Sequence, residues 1–339
     1  MNILVVGGAG YIGSHMVRLL DRAGHQTVVL DNLSIGAPGA VSAGRLVCGD
    51  IRDGALVEAL IRDAAIDAVM HFAGSALVGE SVLDPAAYYD NNVVASLALL
   101  DAMRQAGVRR IVFSSSCATY GVPERVPISE EAPQRPVNPY GFTKLVVERA
   151  LADYAAAYGF GYAALRYFNA AGASPDGDIG EHHVQESHLI PLTLQVALGQ
   201  RPHVTVFGTD WPTPDGTCIR DYVHVDDLCR AHLTALERIE CGRGIQLNLG
   251  TGVGRSVREV IDACRTVTGH EIPEVVAGRR PGDPPELVAD PRRATDWLDW
   301  RPRYPGIHDI VETAWRWHRT HPHGYTSRPG ARRSAGPAR

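Results

Sequence analysis

The amino-acid sequence predicts an α/β protein with a doubly wound parallel sheet and a smaller α/β lobe in the second half of the chain. Short apolar segments alternate with helical periodicity up to about residue 167, and a glycine-rich turn follows the first of them. Beyond that point the loops become longer and rich in Gly, Pro and Asp. Strands that alternate with helices pair in parallel, and the helices cover both faces of the sheet. The chain has 339 residues, 45% of them hydrophobic, which is enough for a large core.

The individual elements follow from the period of the apolar residues. Strands are predicted at residues 3–6, 27–30, 68–71, 111–114 and 162–165. Helices are predicted at residues 12–22, 55–63, 93–106, 140–158, 189–198, 226–238 and 257–268. We expect a first domain of residues 1–168, with residues 226–255 interleaved, and a second lobe of residues 169–320. Residues 321–339 contain Pro, Gly, Ser and Arg but no acidic residue, so we expect a flexible tail.

Charge and cysteine content narrow the class of partner. The formal net charge of −5 argues against nucleic acid and against an anionic membrane surface, because both usually require a basic patch. No segment approaches the roughly 18 uncharged apolar residues needed to cross a bilayer, and the N-terminus lacks the basic region of a signal peptide. The six cysteines are scattered, without a C-x-x-C pair, which predicts a reduced, cytoplasmic protein.

A glycine-rich turn follows the first predicted strand. Residues 7–13 read GGAGYIG, which satisfies G-x-G-x-x-G through Gly8, Gly10 and Gly13, and the wider G-x-x-G-x-x-G through Gly7, Gly10 and Gly13. Glycine lets the chain turn tightly and brings backbone N–H groups close to a pyrophosphate at the start of a helix. In this context the turn predicts a Rossmann-type dinucleotide site.

An acidic residue at the end of the second predicted strand indicates which dinucleotide binds. Asp31 stands where a carboxylate accepts hydrogen bonds from the adenosine ribose hydroxyls, and Asn32 follows it instead of an arginine. A 2′-phosphate would be repelled by Asp31 and would require a cation. The sequence therefore favours NAD over NADP.

Three residues form a candidate catalytic group. Ser116 follows the strand predicted at residues 111–114, and Tyr140 and Lys144 lie four residues apart on one face of the next predicted helix. A phenol with a pKa near 10 is a poor base at neutral pH, so its ionisation needs a neighbouring cation, which Lys144 supplies. Tyr-x-x-x-Lys alone also occurs by chance on surface helices. Here it comes after a dinucleotide motif and a strand that ends in serine, which favours catalysis.

Further short strings connect these motifs to one family. They are GDIR (49–52), HFAG (71–74), VGES (78–81), YYDNN (88–92), SSS (114–116), NPYG (138–141), RYFN (166–169), DGT (215–217), RDYVHV (220–225), NLG (248–250) and RPGD (280–283). With them the chain resembles the extended short-chain dehydrogenase/reductases and, within these, the UDP-glucose 4-epimerases, over roughly residues 2–325. The resemblance implies inversion of C4 of a UDP-linked hexose with NAD as cofactor.

The resemblance also implies roles for individual residues. Tyr140 would be the general base and acid, Lys144 would lower its pKa and bind the nicotinamide ribose, and Ser116 would assist proton transfer at O4. The implied NAD contacts are Gly7, Gly10, Tyr11, Ile12, Gly13, Asp31, Asn32, Asp50, Ile51, Phe72, Ala73, Gly74, Asn91, Ser114, Tyr140, Lys144 and Phe168. The implied UDP-sugar contacts are Ser116, Tyr140, Asn169, His188, Leu189, Phe207, Arg220, Tyr222, Arg280, Asp283 and Leu287. A homodimer would form through the helices predicted at residues 93–106 and 140–158.

Substrate breadth depends on Leu287 in this interpretation. In the resembling family its position faces the C2 substituent of the sugar, where Tyr leaves room only for a hydroxyl. Leu is shorter, so we expect N-acetylated UDP-hexoses to be accepted as well as the simple ones. The chain departs from the family at Ala76, where a Lys is common, and at residues 185–188, where many relatives have Asn-Asn.

The sequence disfavours two alternative enzyme functions, a non-catalytic role and a metal site. A 4,6-dehydratase or a decarboxylase would need a further acid/base residue beside Ser116, but Cys117, Ala118 and Thr119 follow it, without the Asp-Glu pair of a dehydratase. A non-catalytic NAD-binding module should have lost the Tyr or the Lys. We expect no metal site, because the implied reaction needs none. His224 and the histidines of the EHH run at residues 181–183 are expected to be packed or capping residues.

Overall fold

A seven-stranded parallel sheet forms the centre of the computed structural model, which describes residues 1–280 and 282–325. The strands are β1 (Asn2–Val6), β2 (Gln26–Asp31), β3 (Arg45–Cys48), β4 (Ala68–His71), β5 (Arg110–Ser116), β6 (Gly161–Tyr167), β7 (Asn169–Ala171), β8 (Val204–Phe207), β9 (Ile219–His224), β10 (Gly244–Leu249), β11 (Gly254–Ser256), β12 (Glu274–Ala277) and β13 (Glu286–Leu287). The helices are α1 (Tyr11–Arg22), α2 (Gly54–Asp63), α3 (Val78–Leu83), α4 (Pro85–Tyr88), α5 (Ala95–Ala106), α6 (Pro139–Tyr158), α7 (Leu189–Ala197), α8 (Val225–Arg238), α9 (Val257–Thr268), α10 (Arg292–Leu298) and α11 (Ile307–Thr320).

The strand order of the central sheet is β10-β6-β5-β4-β1-β2-β3, and all neighbouring strands are parallel. The chain builds outward from β1 to β3, returns to the other side of β1, and continues from β4 outward. The carboxyl ends of β1 and β4 therefore border the crevice where open α/β sheets bind ligands. The predicted doubly wound α/β fold is confirmed.

Helices bury apolar side chains on both faces of this sheet. On one face, Met16 and Leu20 of α1 pack in the same core as Leu228 and Leu236 of α8. The opposite face is covered by α2, α5 and α6, whose buried residues Leu60, Leu99, Met103 and Leu151 share a second core. Since α8 and β10 come late in the chain, the second half of the sequence completes the sheet begun by the first.

The smaller lobe packs around α7, α9 and α11, with Ile190, Leu194, Val260 and Ile310 in its core. Strand β9 pairs in parallel with β7 and β13 and antiparallel with β11, while β8 pairs with β12. At the end of the described chain, the Tyr325 hydroxyl accepts a hydrogen bond from Gly180 N and donates one to Gly180 O, each at 3.0 Å. The remainder of the expected tail, residues 326–339, lies outside the described residues.

The predicted strands and helices agree with the structure to within one or two residues, with one exception. In place of the helix predicted at residues 93–106, α5 begins at Ala95 and a π-helix over Tyr89–Val94 joins it to α4, so the helical segment extends back to Pro85. Of the seven strands in the central sheet, β3 and β10 were not predicted, and neither were the strands outside it or the helices α3, α4, α10 and α11. Among the described residues, no helix combines the length and the apolar character that a membrane span requires.

Candidate active site

The glycine-rich turn packs so closely that side chains are excluded from two of its positions. A Cβ added to Gly7 would lie 2.4 Å from Ala73 N, and one added to Gly13 would lie 2.2 Å from Gly7 O. Gly7 also has a φ of +75°, which favours glycine. Gly10 is the N-cap of α1, and no side chain of the described chain caps this end. The first-turn N–H groups, from Tyr11, Ile12 and Gly13, are therefore placed to receive an anion.

Asp31 holds this turn against the end of β2. Its Oδ2 accepts a hydrogen bond from Ala9 N at 2.9 Å, and its Oδ1 accepts one from Leu33 N at 2.8 Å. The carboxylate is buried. The position next to the turn is the one that ribose recognition requires.

A second acidic residue lies beside it. Asn32 Nδ2 donates to Asp50 Oδ2 at 3.2 Å, and Arg52 donates to the same oxygen at 2.7 Å. The Arg52 guanidinium lowers the pKa of Asp50 far below its ordinary value. Arg52 also pairs with Asp90. The Arg52 guanidinium is thus already paired with two carboxylates. This pairing disfavours its binding to the 2′-phosphate of NADP.

Helix α6 brings two of the three predicted catalytic residues to the end of β5. Asn138 caps the helix by accepting a hydrogen bond from Gly141 N at 2.8 Å. Lys144, four residues after Tyr140, donates from Nζ to Ser114 O at 2.9 Å. Both side chains are buried.

Burial dominates the ionisation of this pair. It raises the pKa of Tyr140 to about 12, an effect opposed by a hydrogen bond with Ser116. It lowers the pKa of Lys144 to about 8, an effect opposed by the charge of Glu148. At neutral pH the protein therefore holds a neutral phenol beside a predominantly charged ammonium. A further positive charge is needed to make the tyrosine a base.

Ser116 is the last residue of β5 and the N-cap of the short 3₁₀ turn Cys117–Thr119. Its Oγ accepts a hydrogen bond from Ala118 N at 3.1 Å, which leaves the hydroxyl hydrogen to be donated. Ser116 is buried beside Tyr140. The structure thus brings together Ser116, Tyr140 and Lys144, the three residues that the sequence predicted to act in catalysis.

A buried polar network supports this group, and the sequence analysis did not assign it a role. Glu148 forms an ion pair with Arg166 at 2.6 Å and accepts a hydrogen bond from Ser115. Arg166 also donates to the Tyr120 hydroxyl, which donates to Asn248 Oδ1 at 2.7 Å. Glu148 is four residues after Lys144 on the same helix, and this spacing is the signal that could have found it.

The loop after β4 lies next to Lys144. A Cβ added to Gly74 would lie 3.5 Å from Lys144 Nζ. Asn92 fixes this loop by accepting from Ser75 N at 2.8 Å and donating to Thr143 Oγ1 at 3.1 Å, and Asn91 donates to Ser75 Oγ at 3.2 Å. Ser75, Asn92 and Thr143 were missed as site residues, although Asn92 lies in one of the recognised strings.

The other residues expected to contact NAD lie around the same crevice. Phe72 and Ala73 both donate from their backbone N–H groups to Val6 O, which holds the loop after β4 against β1. Ile51 is buried in the core of the α2 face. The hydroxyl of Tyr11 donates to Gly172 O at 2.6 Å. Ser114 and Tyr167 share a hydrogen bond through their hydroxyls.

An apolar cluster lies beyond Ser116, toward the smaller lobe. Phe168 is buried there with Cys117, Tyr120 and Ile128, and Leu287 packs against them. This packing puts Leu287 on a surface that adjoins Ser116 through Cys117. Nearby, Asn169 is paired in register with Tyr222 across β7 and β9.

Two arginines lie in the smaller lobe at the positions expected to bind a diphosphate. Arg220 is paired in register with Leu287, and its guanidinium is 3.7 Å from Asp283. The Arg280 guanidinium stacks on the Phe207 ring, 3.9 Å from its centroid. Both arginines are therefore ordered by neighbours that themselves belong to the expected substrate set.

His188 is engaged by carboxylates. It is the residue before Leu189, which begins α7, and its Nδ1 is 2.7 Å from Glu181 Oε1 and 3.2 Å from Glu186 Oε1. His224 has a different environment, where Nδ1 caps α8 by accepting from Asp226 N and Nε2 contacts Thr313 Oγ1.

Known proteins match this chain over nearly its whole length. The model of the NAD dependent epimerase/dehydratase family matches residues 3–250. A UDP-glucose 4-epimerase of Halalkalibacterium halodurans is 53% identical over 328 residues, which are 96% of this chain and 98% of the relative. The crystal structure of UDP-glucose 4-epimerase from Brucella ovis in complex with NAD is 51% identical, with a TM-score of 0.89, and the match covers 93% of this chain and 97% of that one. The enzyme from Bifidobacterium longum in complex with NAD⁺ and UDP is 39% identical, with a TM-score of 0.92 and coverage of 96% and 100%.

Proposed function

The chain belongs to the NAD dependent epimerase/dehydratase family, and we propose that it inverts C4 of a UDP-hexose with Tyr140, Lys144 and Ser116 as its catalytic residues. Its activity is that of a UDP-glucose 4-epimerase, which passes through a transient 4-keto sugar. The observation that supports the residue assignment best is the contact between α6 and the end of β5. There Lys144 donates to Ser114 O, and Tyr140 lies beside Ser116.

NAD is the cofactor, and the residues of the crevice fit it. We assign its pyrophosphate to the turn formed by Gly7, Gly10 and Gly13, because α1 begins there without a side-chain cap within the described chain. We assign its adenosine ribose to Asp31 and its nicotinamide ribose to Lys144. When bound, NAD⁺ accepts the hydride from C4 of the sugar and later returns it to the opposite face.

The proton at O4 is handled by Tyr140 and Ser116 in this proposal. Burial alone keeps the phenol neutral, so its ionisation depends on cations close to it. Lys144 Nζ lies 5.9 Å from the centroid of the Tyr140 ring, and a positive charge near the phenol favours its ionised form. Tyr140 then takes the O4 proton, and Ser116 donates a hydrogen bond to the same oxygen. The proton returns by the same path when the second face has reacted.

Inversion requires that the keto sugar turn while its nucleotide stays bound. We assign the diphosphate to Arg220 and Arg280, since a guanidinium binds a diphosphate through paired hydrogen bonds. His188 and Leu189 at the head of α7, with Asn169, Tyr222 and Phe207, complete the proposed substrate site. The sugar end is bounded by the apolar side chains of Phe168 and Leu287. Apolar walls form few hydrogen bonds with the 4-keto sugar, so few hydrogen bonds must break when the sugar ring rotates.

A dehydratase or decarboxylase is the second enzyme function to consider, and the chemistry next to Ser116 argues against it. The side chain that follows is Cys117, and burial raises the pKa of its thiol to about 12. Such a thiol neither gives nor takes a proton at neutral pH. Ala118 and Thr119 carry no ionisable group.

We also propose that the protein is a homodimer. Tyr89, Val94, Leu97 and Phe142 are large apolar side chains that are exposed near or on α5 and α6, where the family resemblance predicts the interface. Sedimentation should give twice the chain mass for the wild type, and the double substitution Val94→Asp with Leu97→Asp should give the monomer. A monomeric wild type would disprove this proposal.

A cytoplasmic location is supported by the chemistry of the cysteines. All six are free in the structure, which is ordinary for a reducing compartment. Fractionation of cells that produce the protein would test this, and recovery with secreted proteins would contradict it.

The activity is tested by incubating the purified protein with UDP-glucose, UDP-galactose and their N-acetyl analogues, without added NAD. We expect each simple hexose to be converted to its C4 epimer, and we expect the N-acetyl pair to interconvert as well. Formation of a dehydrated or decarboxylated product, or the absence of any product, would contradict the proposed function. The variant Tyr158→Phe is the control for changes at Tyr140. Tyr158 is an exposed tyrosine of the same helix, α6, and this variant should behave as the wild type.

A further inference from the structure

Four side chains of one loop converge on a single point outside the catalytic group. They are Glu181, His183, Glu186 and His188, and one ligand atom from each lies within 4.8 Å of all the others. Both imidazoles present Nδ1 to the cluster. The loop joins the region after β7 to the first residue of α7, and His183 lies edge-on to Tyr11, with ring centroids 6.4 Å apart.

The ligand atoms are close enough to share one ion. His183 Nδ1 is 3.4 Å from Glu181 Oε1 and 3.2 Å from Glu186 Oε2, while His188 Nδ1 is 2.7 Å from Glu181 Oε1 and 3.2 Å from Glu186 Oε1. Zinc binds imidazole nitrogen and carboxylate oxygen at about 2.0 to 2.2 Å, which separates neighbouring ligand atoms by roughly 3.3 to 3.6 Å in a tetrahedron. The separations of 3.2 and 3.4 Å are near that range, whereas Glu181 Oε1 and His188 Nδ1 must move apart by about 0.6 Å or more when an ion enters between them.

Glu181 gives a second, independent indication that a ligand belongs in this cluster. Its side chain is 3% exposed, and its Oε1 has no hydrogen-bond partner among the described residues. The oxygen is 2.7 Å from His188 Nδ1, yet the two atoms do not meet hydrogen-bond geometry. A buried carboxylate oxygen without a partner costs free energy. Oε1 of Glu181 is therefore free to bind a further group placed among these four side chains.

We propose that Glu181, His183, Glu186 and His188 form a binding site for one zinc-class divalent metal ion. The two carboxylates compensate the charge of the ion, the two imidazoles bind it as neutral ligands, and this mixed N/O set suits zinc. Glu186 Oε1 accepts hydrogen bonds from Ser187 N and His188 N at 2.8 Å, which orients the carboxylate. His188 binds the ion through Nδ1 in this proposal, so the substrate contact proposed for the same residue falls to its other ring nitrogen. Its side chain is half exposed and provides the entry path.

The site is structural and takes no part in the proton or hydride transfer. It closes the loop of residues 181–188 and fixes the start of α7 relative to Tyr11 of the glycine-rich turn. Packed or capping histidines were predicted here from the EHH run at residues 181–183 alone. The pattern E-x-H-x-x-E-x-H over residues 181–188 would have been the better signal.

Metal binding is tested on the full chain, purified without a histidine tag and freed of metal by a chelator. Cobalt(II) reports geometry, because its tetrahedral complexes absorb visible light much more strongly than its octahedral ones. We expect one Co²⁺ per chain with the strong visible bands of a tetrahedral site, displaced by one equivalent of Zn²⁺. Zinc at about a hundred times its dissociation constant should raise the unfolding temperature by about 5 °C or more.

Variants separate this site from adventitious binding. Glu181→Gln and His183→Gln should lose the visible bands and the thermal shift, whereas His270→Gln, at an exposed histidine of the same lobe, should retain both. The proposal is overturned if the wild type shows no tetrahedral bands, or if the cluster variants keep them. Should the variants fail to fold, X-ray absorption on the zinc-loaded wild type decides: two imidazole nitrogens and two oxygens support the site, and a six-coordinate oxygen shell rejects it.

Discussion

At the scale of single residues, the proposed reaction depends on the ionisation of Tyr140. Burial raises the pKa of Tyr140 to about 12 and lowers that of Lys144 to about 8, so neither group alone is suited to proton abstraction at neutral pH. The phenol becomes a base only when positive charge is placed beside it. This arrangement couples proton transfer to the presence of the oxidised cofactor, whose nicotinamide is cationic.

Replacing Tyr140 by Phe should abolish nearly all turnover and leave NAD bound. Loss of one acid/base group typically costs about 10² to 10⁴ in rate, while the residues assigned to the pyrophosphate and adenosine are unchanged. Steady-state kinetics with UDP-galactose, and the fluorescence of bound NADH, measure the two effects. Activity close to that of the wild type would contradict the role of Tyr140.

Leu287→Tyr should selectively remove activity on N-acetylated substrates. Leu287 packs against the cluster of Cys117 and Phe168 that adjoins Ser116, so a larger side chain would fill space beside the sugar. Overfilling a pocket costs roughly 1 to 3 kcal/mol, enough to change a rate ratio by about tenfold or more. The ratio of kcat/KM for UDP-galactose and UDP-N-acetylgalactosamine checks this. Leu287→Met, which conserves volume, is the control, and an unchanged ratio in Leu287→Tyr would show that this residue does not set the breadth.

At the scale of elements, glycine is required in the turn between β1 and α1 for two different reasons, backbone packing at one position and the proposed ligand at another. Gly13 is required for packing, since an added Cβ would meet the backbone of Gly7 and Gly8 at 2.2 and 2.7 Å. Gly10 has only Gly7 O near its Cβ position, at 3.4 Å, which is an ordinary contact. The fold therefore tolerates a methyl group at Gly10, but the proposed pyrophosphate site does not.

Gly13→Ala should lower the free energy of unfolding by about 1 to 3 kcal/mol, because its neighbours are backbone atoms and cannot move aside cheaply. Gly10→Ala should cost about 1 kcal/mol or less, as for an N-cap, yet weaken NAD binding. Denaturant titration and NADH titration measure these effects. Gly54→Ala, at the open first position of α2, should leave both quantities unchanged or slightly raise stability. Equal NADH affinity in wild type and Gly10→Ala would argue against the pyrophosphate assignment.

How far the sequence predicted these elements depends on whether the determining contacts are local. The order β1, glycine turn, α1, β2 and Asp31 is a local pattern, and so is the four-residue spacing of Tyr140 and Lys144. The structure has both patterns at the predicted residues. Strand β3 was missed because its residues Arg45–Cys48 are only partly buried and show no clear apolar period.

Contacts between residues that are far apart in the sequence could not be predicted from it, for a physical reason. The buried ion pair of Glu148 with Arg166 joins α6 to β6, and neither residue differs in type from a surface residue. Charged residues are seldom buried unless they are paired, and the partner cannot be known before the fold. The convergence of Glu181 with His188 is likewise a property of the folded loop.

At the scale of the whole molecule, several histidines are buried as neutral rings. Burial lowers the pKa of His15, His232 and His318 to about 4, and that of His71 and His224 to about 3. In the unfolded chain these groups titrate near the ordinary value of about 6.5. Between pH 6.5 and about 4 the unfolded chain therefore binds more protons than the folded one, and stability falls as the pH falls.

We expect the free energy of unfolding to decrease from pH 6 to pH 5, with several protons taken up on unfolding. Nearer pH 7 the effect of the neutral rings is offset by His188, whose pKa the carboxylates of Glu181 and Glu186 raise to about 10 against the effect of burial, and by Asp226, whose pKa burial raises to about 6. Denaturant titrations at constant salt across this range give the slope. His232→Gln should reduce the proton uptake by about one, because one neutral buried ring is removed, whereas His270→Gln at an exposed position should not. Stability that is independent of pH over this range would contradict the assignment of neutral buried rings.

The central claim is that C4 is inverted by hydride transfer to and from a cofactor that stays bound, with Tyr140 moving only the O4 proton. The most direct measurement uses UDP-galactose with deuterium at C4, incubated with the purified protein in ordinary water without added NAD. The account predicts UDP-glucose that retains the deuterium at C4. A product that carries hydrogen from the solvent at C4, or no product at all, would contradict it.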